Sequence, residues 1–171
     1  MFKRFYPTVY CKSAYSVDFQ KLYDKGYRGL LTDVDNTLVG HGAPSDERSE
    51  ALFKMLKEMG WKTCIISNND EKRIKPFAQI VGSPYVYSAA KPKKDGYIKG
   101  MAIMETDREH TVFMGDQIFT DIFGANNSGI RSILVKPLKM DFKFLILLKR
   151  IGEKIVFVFY RRYAKKHPKE L

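Results

Sequence analysis

Short apolar runs alternate with segments of helical periodicity along most of the chain. Five runs are typical of buried strands, namely RGLLTDV, KTCIIS, PYVYS, HTVFMG and IRSILV. Between the first two runs, Leu52, Leu56 and Met59 recur at helical spacing, and Gly60 ends the pattern. Strands that alternate with helices predict a Rossmann-like three-layer α/β domain, in which a central parallel sheet of about five strands is flanked by helices.

The segment from residue 141 to residue 171 has a different pattern. Apolar residues from Phe144 to Val158 recur at intervals of three and four, and Lys and Arg residues recur on the opposite side. This pattern predicts a basic amphipathic helix with a solvated tail. Its apolar side could bind a membrane, this domain or a second copy of the chain in a homo-oligomer.

Positive charge is concentrated at the two ends of the chain. Residues 1–28 hold six Lys/Arg and two acids, residues 141–171 hold nine and three, and residues 29–140 hold fifteen and fourteen. We therefore divide the chain into a basic N-terminal segment (1–28) that packs on the core, a nearly neutral central α/β domain (29–140), and the basic C-terminal helix and tail (141–171). Basic ends favour an anionic partner, such as a phospholipid surface.

The rest of the composition narrows the class of protein. Cys11 and Cys64 lie far apart, so they indicate neither a disulfide framework nor a zinc ribbon. The start of the chain lacks the apolar stretch of a secretory signal. The longest apolar runs, FLILL and IVFVFY, fall far short of the roughly 18 residues that a membrane-spanning helix needs. We expect a cytoplasmic protein, peripheral on the inner face of the membrane if the basic ends bind lipid.

Asp33 and Asp35 follow the first apolar run, in TDVDNTL. A pair of acids at a strand end is most often part of a turn. A calcium loop is excluded, because Thr37 and Leu38 stand where the EF-hand pattern requires a ligand and a glycine. The remaining interpretation is covalent phosphoryl transfer, in which one carboxylate attacks phosphorus and the other moves a proton. Residues two apart leave a strand end on the same side, which suits two acids that serve one substrate.

Phosphoryl transfer needs further groups at the ends of neighbouring strands. Asp116 follows HTVFMG, and Asp121 lies five residues later. An acid at a second strand end suits a magnesium ion that offsets repulsion between carboxylate and phosphate. Ser67 ends KTCIIS, and the backbone of Asn68 begins a segment that favours anions. Lys91 follows PYVYS and supplies a cation for the developing charge. Together these groups favour phosphoryl transfer over a simple turn.

These residues resemble the four motifs of the haloacid dehalogenase superfamily of phosphatases. The longer strings TDVDNTLV, SNNDEKRI, AAKP and GDQIFTDIFGANNSG resemble subclass IIIA, and specifically the YqeG family, over about residues 2 to 150. That family also resembles the phosphatase that converts phosphatidylglycerophosphate to phosphatidylglycerol, which shares the D-V-D-N-T motif and lacks a cap domain.

The resemblance implies a role for each of the catalytic residues. Asp33 would be the nucleophile, and Asp35 the general acid and base. Ser67 and Asn68 would bind the phosphoryl oxygens, and Lys91 would stabilise both the nucleophile and the transferring group. The product of such a reaction is inorganic phosphate, released from an aspartyl-phosphate intermediate.

The resemblance also implies a magnesium site. Mg²⁺ would be bound by the carboxylates of Asp33 and Asp116 and by the backbone carbonyl of Asp35. Asp121 would support this set from the second layer, where outer partners orient the ligands.

The spacing of the motifs points to the kind of substrate. Only 31 residues separate Asp35 from Ser67, and 23 separate Ser67 from Lys91, which leaves no room for a cap domain. A site without a lid suits a large or surface-bound substrate, or a neighbouring subunit that closes it. We therefore expect a membrane-lipid phosphate, such as phosphatidylglycerophosphate, as the substrate.

Two alternatives to a lipid phosphatase stay open. One is a soluble phosphatase for nucleotide, sugar or nucleic-acid-end phosphates, and the other is a non-catalytic binding or assembly factor. We do not expect nucleic acid as a bound partner. The sequence does not assign a role to His41 or Arg73. Arg73 could reach a second anionic group near the site, or it could be an exposed charge on a helix.

Overall fold

The computed structural model describes residues 2–139 and 144–166, and for residue 2 and residues 144–151 it describes the backbone alone. Within these residues the strands are β1 (Val9–Cys11), β2 (Gly29–Thr32), β3 (Lys62–Ile66), β4 (Tyr85–Val86), β5 (Thr111–Gly115) and β6 (Arg131–Val135). The helices are α1 (Phe19–Asp24), α2 (Glu47–Glu58), α3 (Glu71–Val81), α4 (Lys94–Met104), α5 (Phe123–Asn127) and α6 (Phe144–Lys166). Short 3-10 turns lie at Phe2–Phe5 and Ala14–Ser16, and a π-helical turn lies at Ile118–Ile122.

All neighbouring strands are parallel, and their order is β1-β6-β5-β2-β3-β4. The predicted parallel α/β architecture is therefore confirmed, with β2 near the centre of the sheet. The strand beyond the expected five is β1, which pairs with β6 at one edge. It has only three residues, too few to show the alternation by which a strand is recognised.

Helices cover both faces of the sheet. The strand residues are therefore buried on both sides and are almost all apolar. On β2, Leu30 packs in a cluster with side chains of α1, α2 and α3, whereas Leu31 packs on the opposite face with side chains of α4 and α5. Val112 and Phe113 of β5 divide between the two clusters in the same way. This two-sided burial explains the unbroken apolar runs, which are typical of strands in a parallel sheet.

The C-terminal helix α6 packs beside the π-helical turn at Ile118–Ile122. The backbone N–H of Ile118 donates to Oε1 of the buried Glu153 at 2.7 Å, and Val156 lies in a cluster with Ile118 and Ile122. An N–H bond to a carboxylate is stronger than one between neutral groups, so it fixes the helix to this turn.

In the described residues, the predicted apolar stripe of this helix is not the face that packs on the domain. Ile155 and Val158 are exposed, at 56% and 51%, whereas Val156 and Tyr160 face the domain. The IVFVFY run places apolar residues around much of the helix, so periodicity alone could not identify the packed face. The stripe residues Phe144, Leu148 and Ile151 lie outside the residues whose side chains are described.

Between the sequence motifs there is no inserted domain in residues 2–139. The chain from Asp35 to Ser67 holds a loop and α2, and the chain from Ser67 to Lys91 holds α3 and β4. Among the described helices, none combines the length and the apolarity needed to cross a bilayer.

Candidate active site

The predicted site residues meet at the carboxyl ends of neighbouring strands. Asp33 follows β2, Asp116 follows β5 and Ser67 follows β3. Lys91 enters from the segment after β4, and all four side chains are buried. Because β5, β2, β3 and β4 are adjacent and parallel, the order of the strands brings these side chains to one edge.

Lys91 joins two buried carboxylates. Its Nζ donates to Oδ1 of Asp33 at 2.9 Å and to Oδ1 of Asp121 at 2.8 Å. Burial raises the pKa of Asp33 to about 6, although the charge of Lys91 opposes this change. Burial alone lowers the pKa of Lys91, but the charges of Asp121 and Asp33 outweigh it and hold that pKa above its usual value. Lys91 is therefore a permanent cation in the site.

The backbone around Lys91 is fixed by one asparagine. Asn68 accepts from the N–H of Lys91 through Oδ1 at 2.6 Å and donates to its carbonyl through Nδ2 at 3.1 Å. Two residues just before Lys91, Ser88 and Ala90, have φ values of 45° and 53°, which non-glycine residues rarely adopt. Such strained backbone persists only where the surroundings hold it, and Asn68 provides part of that support.

Ser67 and Asn68 both lie at this edge, as predicted, but they are used differently. Ser67 is buried, and its Oγ accepts from the N–H of Asn69 at 3.1 Å. Helix α3 begins only at Glu71, with Asp70 as its cap, so Asn68 precedes the helix start and its side chain orients Lys91. Their binding of phosphoryl oxygens stays a prediction.

Asp33, Asp116 and Asp121 form a compact group of acids. One carboxylate oxygen from each lies within 4.8 Å of the others. Carboxylate oxygens are the ligands that Mg²⁺ prefers, and three carboxylates with one lysine leave a net charge that a divalent cation balances. The residues present therefore fit a magnesium site. The carboxylate of Asp121 is a member of this group, whereas the family resemblance implied that Asp121 lies in a second layer behind the metal ligands. Which residues bind the ion stays a prediction.

Close packing fixes the position of Asp121. A Cβ atom added at Gly115 would lie 2.5 Å from Oδ2 of Asp121, so this position has room only for glycine. The same oxygen accepts from the N–H of Gln117 at 3.0 Å. The hydroxyl of Tyr97 donates to the backbone carbonyl of Thr120 at 3.0 Å and so helps to fix the π-helical turn. Burial raises the pKa of this hydroxyl. π-Helical turns are frequent at functional sites.

Asp35 lies in a different environment from Asp33. Its Oδ1 accepts from the N–H of Gly42 at 2.8 Å and from Nη2 of Arg73 at 2.7 Å. Its Oδ2 accepts from Nδ2 of Asn69 at 2.6 Å. Arg73 is thus a site residue rather than a solvated helix charge. Sequence reasoning did not single out Asn69, and only its place two residues after Ser67 could have suggested a role.

The turn that follows the two acids depends on Asn36. This residue has a φ of 61°, a left-handed conformation that asparagine tolerates better than most residues. Its N–H donates to the carbonyl of Val39 at 2.7 Å, and the carbonyl of Val34 accepts from Leu38 at 2.9 Å. The turn is therefore closed by backbone bonds, which leave the carboxylates of Asp33 and Asp35 available to the site.

The sequence model of the haloacid dehalogenase-like hydrolase family matches residues 33–129. This stretch begins at Asp33 and contains every residue of the site described above. The chain belongs to that family. We therefore interpret the four sequence motifs by comparison with hydrolases of this family.

Two relatives are similar over much of the chain. The probable phosphatase YqeG of Bacillus subtilis (strain 168) is 34% identical over 164 residues, which cover 95% of each chain. Phosphatidylglycerophosphate phosphatase 1, chloroplastic/mitochondrial, of Arabidopsis thaliana is 25% identical over 148 residues, which cover 77% of this chain and 41% of that protein. The chain therefore spans less than half of the plant protein.

Solved structures confirm the fold. An uncharacterized protein from Listeria monocytogenes serotype 4b has a TM-score of 0.53 at 18% identity, over 68% of this chain and 84% of its own. The deoxy-D-mannose-octulosonate 8-phosphate phosphatase (YrbI) of Haemophilus influenzae has a TM-score of 0.51 at 16% identity, over 81% and 90%. At such identities the likeness concerns the fold alone.

Asp33→Asn is expected to raise the melting temperature of the metal-free protein at about pH 8. The pKa of Asp33 is raised from 3.8 to about 6 in the folded chain. Stability from the protonated form is therefore lost as the pH rises through about 6, and the variant avoids this loss. Lys91 keeps Asp121 as a partner in the variant.

Thermal unfolding in EDTA at about pH 5 and about pH 8 tests this expectation. The melting temperature of Asp33→Asn should exceed that of the unsubstituted protein by a few degrees at the higher pH and by less at the lower pH. Asp24→Asn, at an exposed aspartate of α1, is the matched control and should give no such pH-dependent gain. A lower melting temperature for Asp33→Asn at the higher pH would contradict the assignment of a buried, destabilising charge.

Proposed function

We propose that this protein hydrolyses phosphate monoesters through an aspartyl phosphate formed on Asp33. The observation that supports this most directly is the different environment of the two acids. Asp33 is buried against the Lys91 ammonium, which can offset charge on a transferring phosphoryl group. Asp35 is held apart by Arg73 and Asn69, as suits a group that moves a proton. Membership of the hydrolase family and similarity to a probable phosphatase agree with this proposal.

In the first half of the reaction, a carboxylate oxygen of Asp33 attacks phosphorus. The bond between phosphorus and the leaving-group oxygen breaks, and Asp35 gives its proton to that oxygen. In the second half, Asp35 takes a proton from water as the water oxygen attacks the phosphoaspartate. The bond between phosphorus and the Asp33 oxygen breaks, inorganic phosphate leaves, and both acids return to their starting states. Lys91 stays beside Asp33, and the Ser67 hydroxyl donates to a phosphoryl oxygen.

We assign Mg²⁺ as the cation of this site. Asp33, Asp116 and Asp121 would bind it through their carboxylates, with the backbone carbonyl of Asp35 as the further ligand that the family resemblance implies. When bound, the ion supplies the positive charge that offsets repulsion between a carboxylate nucleophile and a phosphate. Thr37, whose Oγ1 lies 3.5 Å from Oδ1 of Asp116, would orient that carboxylate.

The substrate that we propose is a phosphate on a membrane lipid, such as phosphatidylglycerophosphate. The catalytic edge has no inserted domain over it within residues 2–139, so a headgroup that stands in a bilayer can approach it. Similarity to the plant phosphatidylglycerophosphate phosphatase agrees with this class of substrate. The lipid surface itself would then provide the barrier to water that a cap domain provides elsewhere.

Helix α6 is the proposed membrane contact. It is bonded to Ile118 in the turn that also holds Asp121, so it lies next to the catalytic edge. Its outer side exposes Ile155, Val158 and Phe159 together with Arg162 and Lys165. Apolar side chains beside basic ones are typical of helices that lie in the interface of an anionic membrane. We accordingly place the protein on the cytoplasmic face of the membrane.

Asp35→Asn is expected to trap the phosphorylated enzyme. With p-nitrophenyl phosphate, whose leaving group needs little protonation, Asp33 can still attack, but no base remains to activate water. Mass spectrometry after rapid quenching should then show one added phosphoryl group on Asp33, and turnover should fall by about a thousandfold or more.

Asp33→Asn is the matched control for this experiment. It should lose turnover to the same extent and show no phosphorylated protein at all. Trapped phosphate on another residue, or full activity in Asp33→Asn, would contradict the nucleophile assignment. Full biological activity in Asp33→Asn would favour the non-catalytic binding or assembly factor.

The lipid proposal predicts that α6 contributes to both binding and turnover. The triple variant Arg162→Gln, Lys165→Gln, Lys166→Gln should bind anionic vesicles at least tenfold more weakly, because each basic residue near such a surface adds about 1 kcal/mol. Hydrolysis of phosphatidylglycerophosphate in those vesicles should fall in parallel. Vesicle sedimentation and phosphate release measure the two effects.

A second triple variant, Lys54→Gln, Lys72→Gln, Lys75→Gln, removes the same charge from exposed positions of α2 and α3. It should retain vesicle binding. Equal binding by the two triple variants would contradict the role of α6. Strong turnover of water-soluble phosphomonoesters with none of the lipid would favour the soluble phosphatase.

A further inference from the structure

Arg73 is the cationic partner of the proposed general acid. It is the third residue of α3. Its backbone N–H donates to Oδ1 of Asp70 at 3.0 Å, and this bond fixes the backbone from which the side chain extends. Its Nη2 donates to Oδ1 of Asp35 at 2.7 Å and to the carbonyl of Ala43 at 2.8 Å. The side chain is 19% exposed, so Arg73 is only partly covered by the surrounding protein.

The hydrogen-bonding capacity of this guanidinium is used unevenly. Nη2 makes two bonds, whereas Nε is buried and has no hydrogen-bond partner. A buried donor without an acceptor is destabilising. The Nε–H and the adjacent Nη2–H form a fork that matches the two oxygens of a carboxylate or a phosphate. Nη2 of this fork is bonded to Asp35 and to the carbonyl of Ala43, and Nε is unsatisfied.

The location of Arg73 determines which part of a substrate it meets. To give its proton, Asp35 must contact the leaving-group oxygen, so other substituents of the leaving group lie next to Asp35 and its partners. We propose that Arg73 binds a second oxyanion, carried on the leaving group of the substrate. This inference rests on the proposed phosphatase function and narrows its substrates to phosphomonoesters with an additional carboxylate, phosphate or phosphodiester.

Binding of that second oxyanion would also change the bonds of Asp35. An oxyanion that takes both Nε and Nη2 of Arg73 competes with the two present acceptors of Nη2, which are Oδ1 of Asp35 and the carbonyl of Ala43. Asp35 keeps the N–H of Gly42 and the amide of Asn69, so the carboxylate stays in position.

Three soluble substrates with the same three-carbon skeleton test the proposal. Glycerol phosphate has no second anion, phosphoglycerate has a carboxylate, and glycerol bisphosphate has a second phosphate. The lipid pair is phosphatidate, which lacks a second anion, and phosphatidylglycerophosphate, which has a phosphodiester; both are presented in the same vesicles. The preferred soluble substrate identifies the kind of oxyanion that is bound. Comparison with the lipid pair shows whether a soluble molecule or a lipid headgroup carries it.

For the wild type, we expect kcat/KM per phosphomonoester to be at least about tenfold higher when a second anion is present. In Arg73→Gln this ratio should fall to near one, mainly through a higher KM for the substrates with two anions. Lys75→Gln removes the same charge from an exposed position of α3 and should leave the ratio unchanged.

Several results would overturn the proposal. An unchanged ratio in Arg73→Gln, or an equal loss for every substrate, would reduce Arg73 to a positioning residue for Asp35 while the phosphatase function stood. No Asp33-dependent turnover of any substrate would overturn the phosphatase function and this inference together. If circular dichroism shows that Arg73→Gln does not fold, Arg73→Lys, which keeps the charge and loses the fork, is measured instead; an unchanged ratio there also overturns the proposal.

Discussion

The ammonium group of Lys91 allows three acids to share a small buried volume. Asp33, Asp116 and Asp121 have carboxylate oxygens within 4.8 Å of one another. Two unit charges at such a distance interact by roughly 3–4 kcal/mol at an effective dielectric constant of about 20. One lysine offsets the repulsion between two of the acids but leaves an excess of negative charge. Burial raises the pKa of Asp33, and the charge of Asp121 adds to that effect while Lys91 opposes it. The site is therefore built to receive a further cation, and much of the surrounding structure serves to hold Lys91 in place.

Two acids separated by one residue have different surroundings in the folded chain, and the roles proposed for them follow from this difference. Asp33 faces a buried lysine and two other acids, whereas Asp35 accepts from an arginine, an asparagine amide and a backbone N–H. The local sequence is almost symmetrical about Val34, so it cannot by itself distinguish a nucleophile from a proton carrier. The distinction comes from β4, which leads to Lys91, and from α3, which supplies Arg73. Pairs of titratable groups with separate environments are the usual means by which acid and base roles are divided.

The sequence predicted the parts of the fold and of the site that depend on short-range patterns. Apolar runs identified β2 to β6, because burial on both faces makes such strands uniformly apolar. The residues that follow those strands, from Asp33 to Asp116, were predicted for the same reason. β1 was missed because a three-residue edge strand has too short a pattern. Arg73 was left open and Asn69 was unrecognised because their roles arise from the packing of α3 against the loop that contains Gly42, which no local spacing records.

The open catalytic edge determines where specificity can reside. In the proposed mechanism, Asp33, Lys91 and Ser67 act on the phosphoryl group, which is the same in every phosphomonoester, so they cannot select among leaving groups. With no inserted domain in residues 2–139, recognition must come from elements that border the edge. The strand order places two such elements on opposite sides of β2: α3 with Arg73 beyond β3, and the π-helical turn with α6 beyond β5. One side provides a cationic fork and the other a basic, partly apolar helix. A leaving group that satisfies both must have an anion close to the scissile bond and an anionic or apolar surface behind it. A phospholipid headgroup that carries a phosphodiester and is held in a bilayer meets both conditions, whereas a small neutral alcohol meets neither.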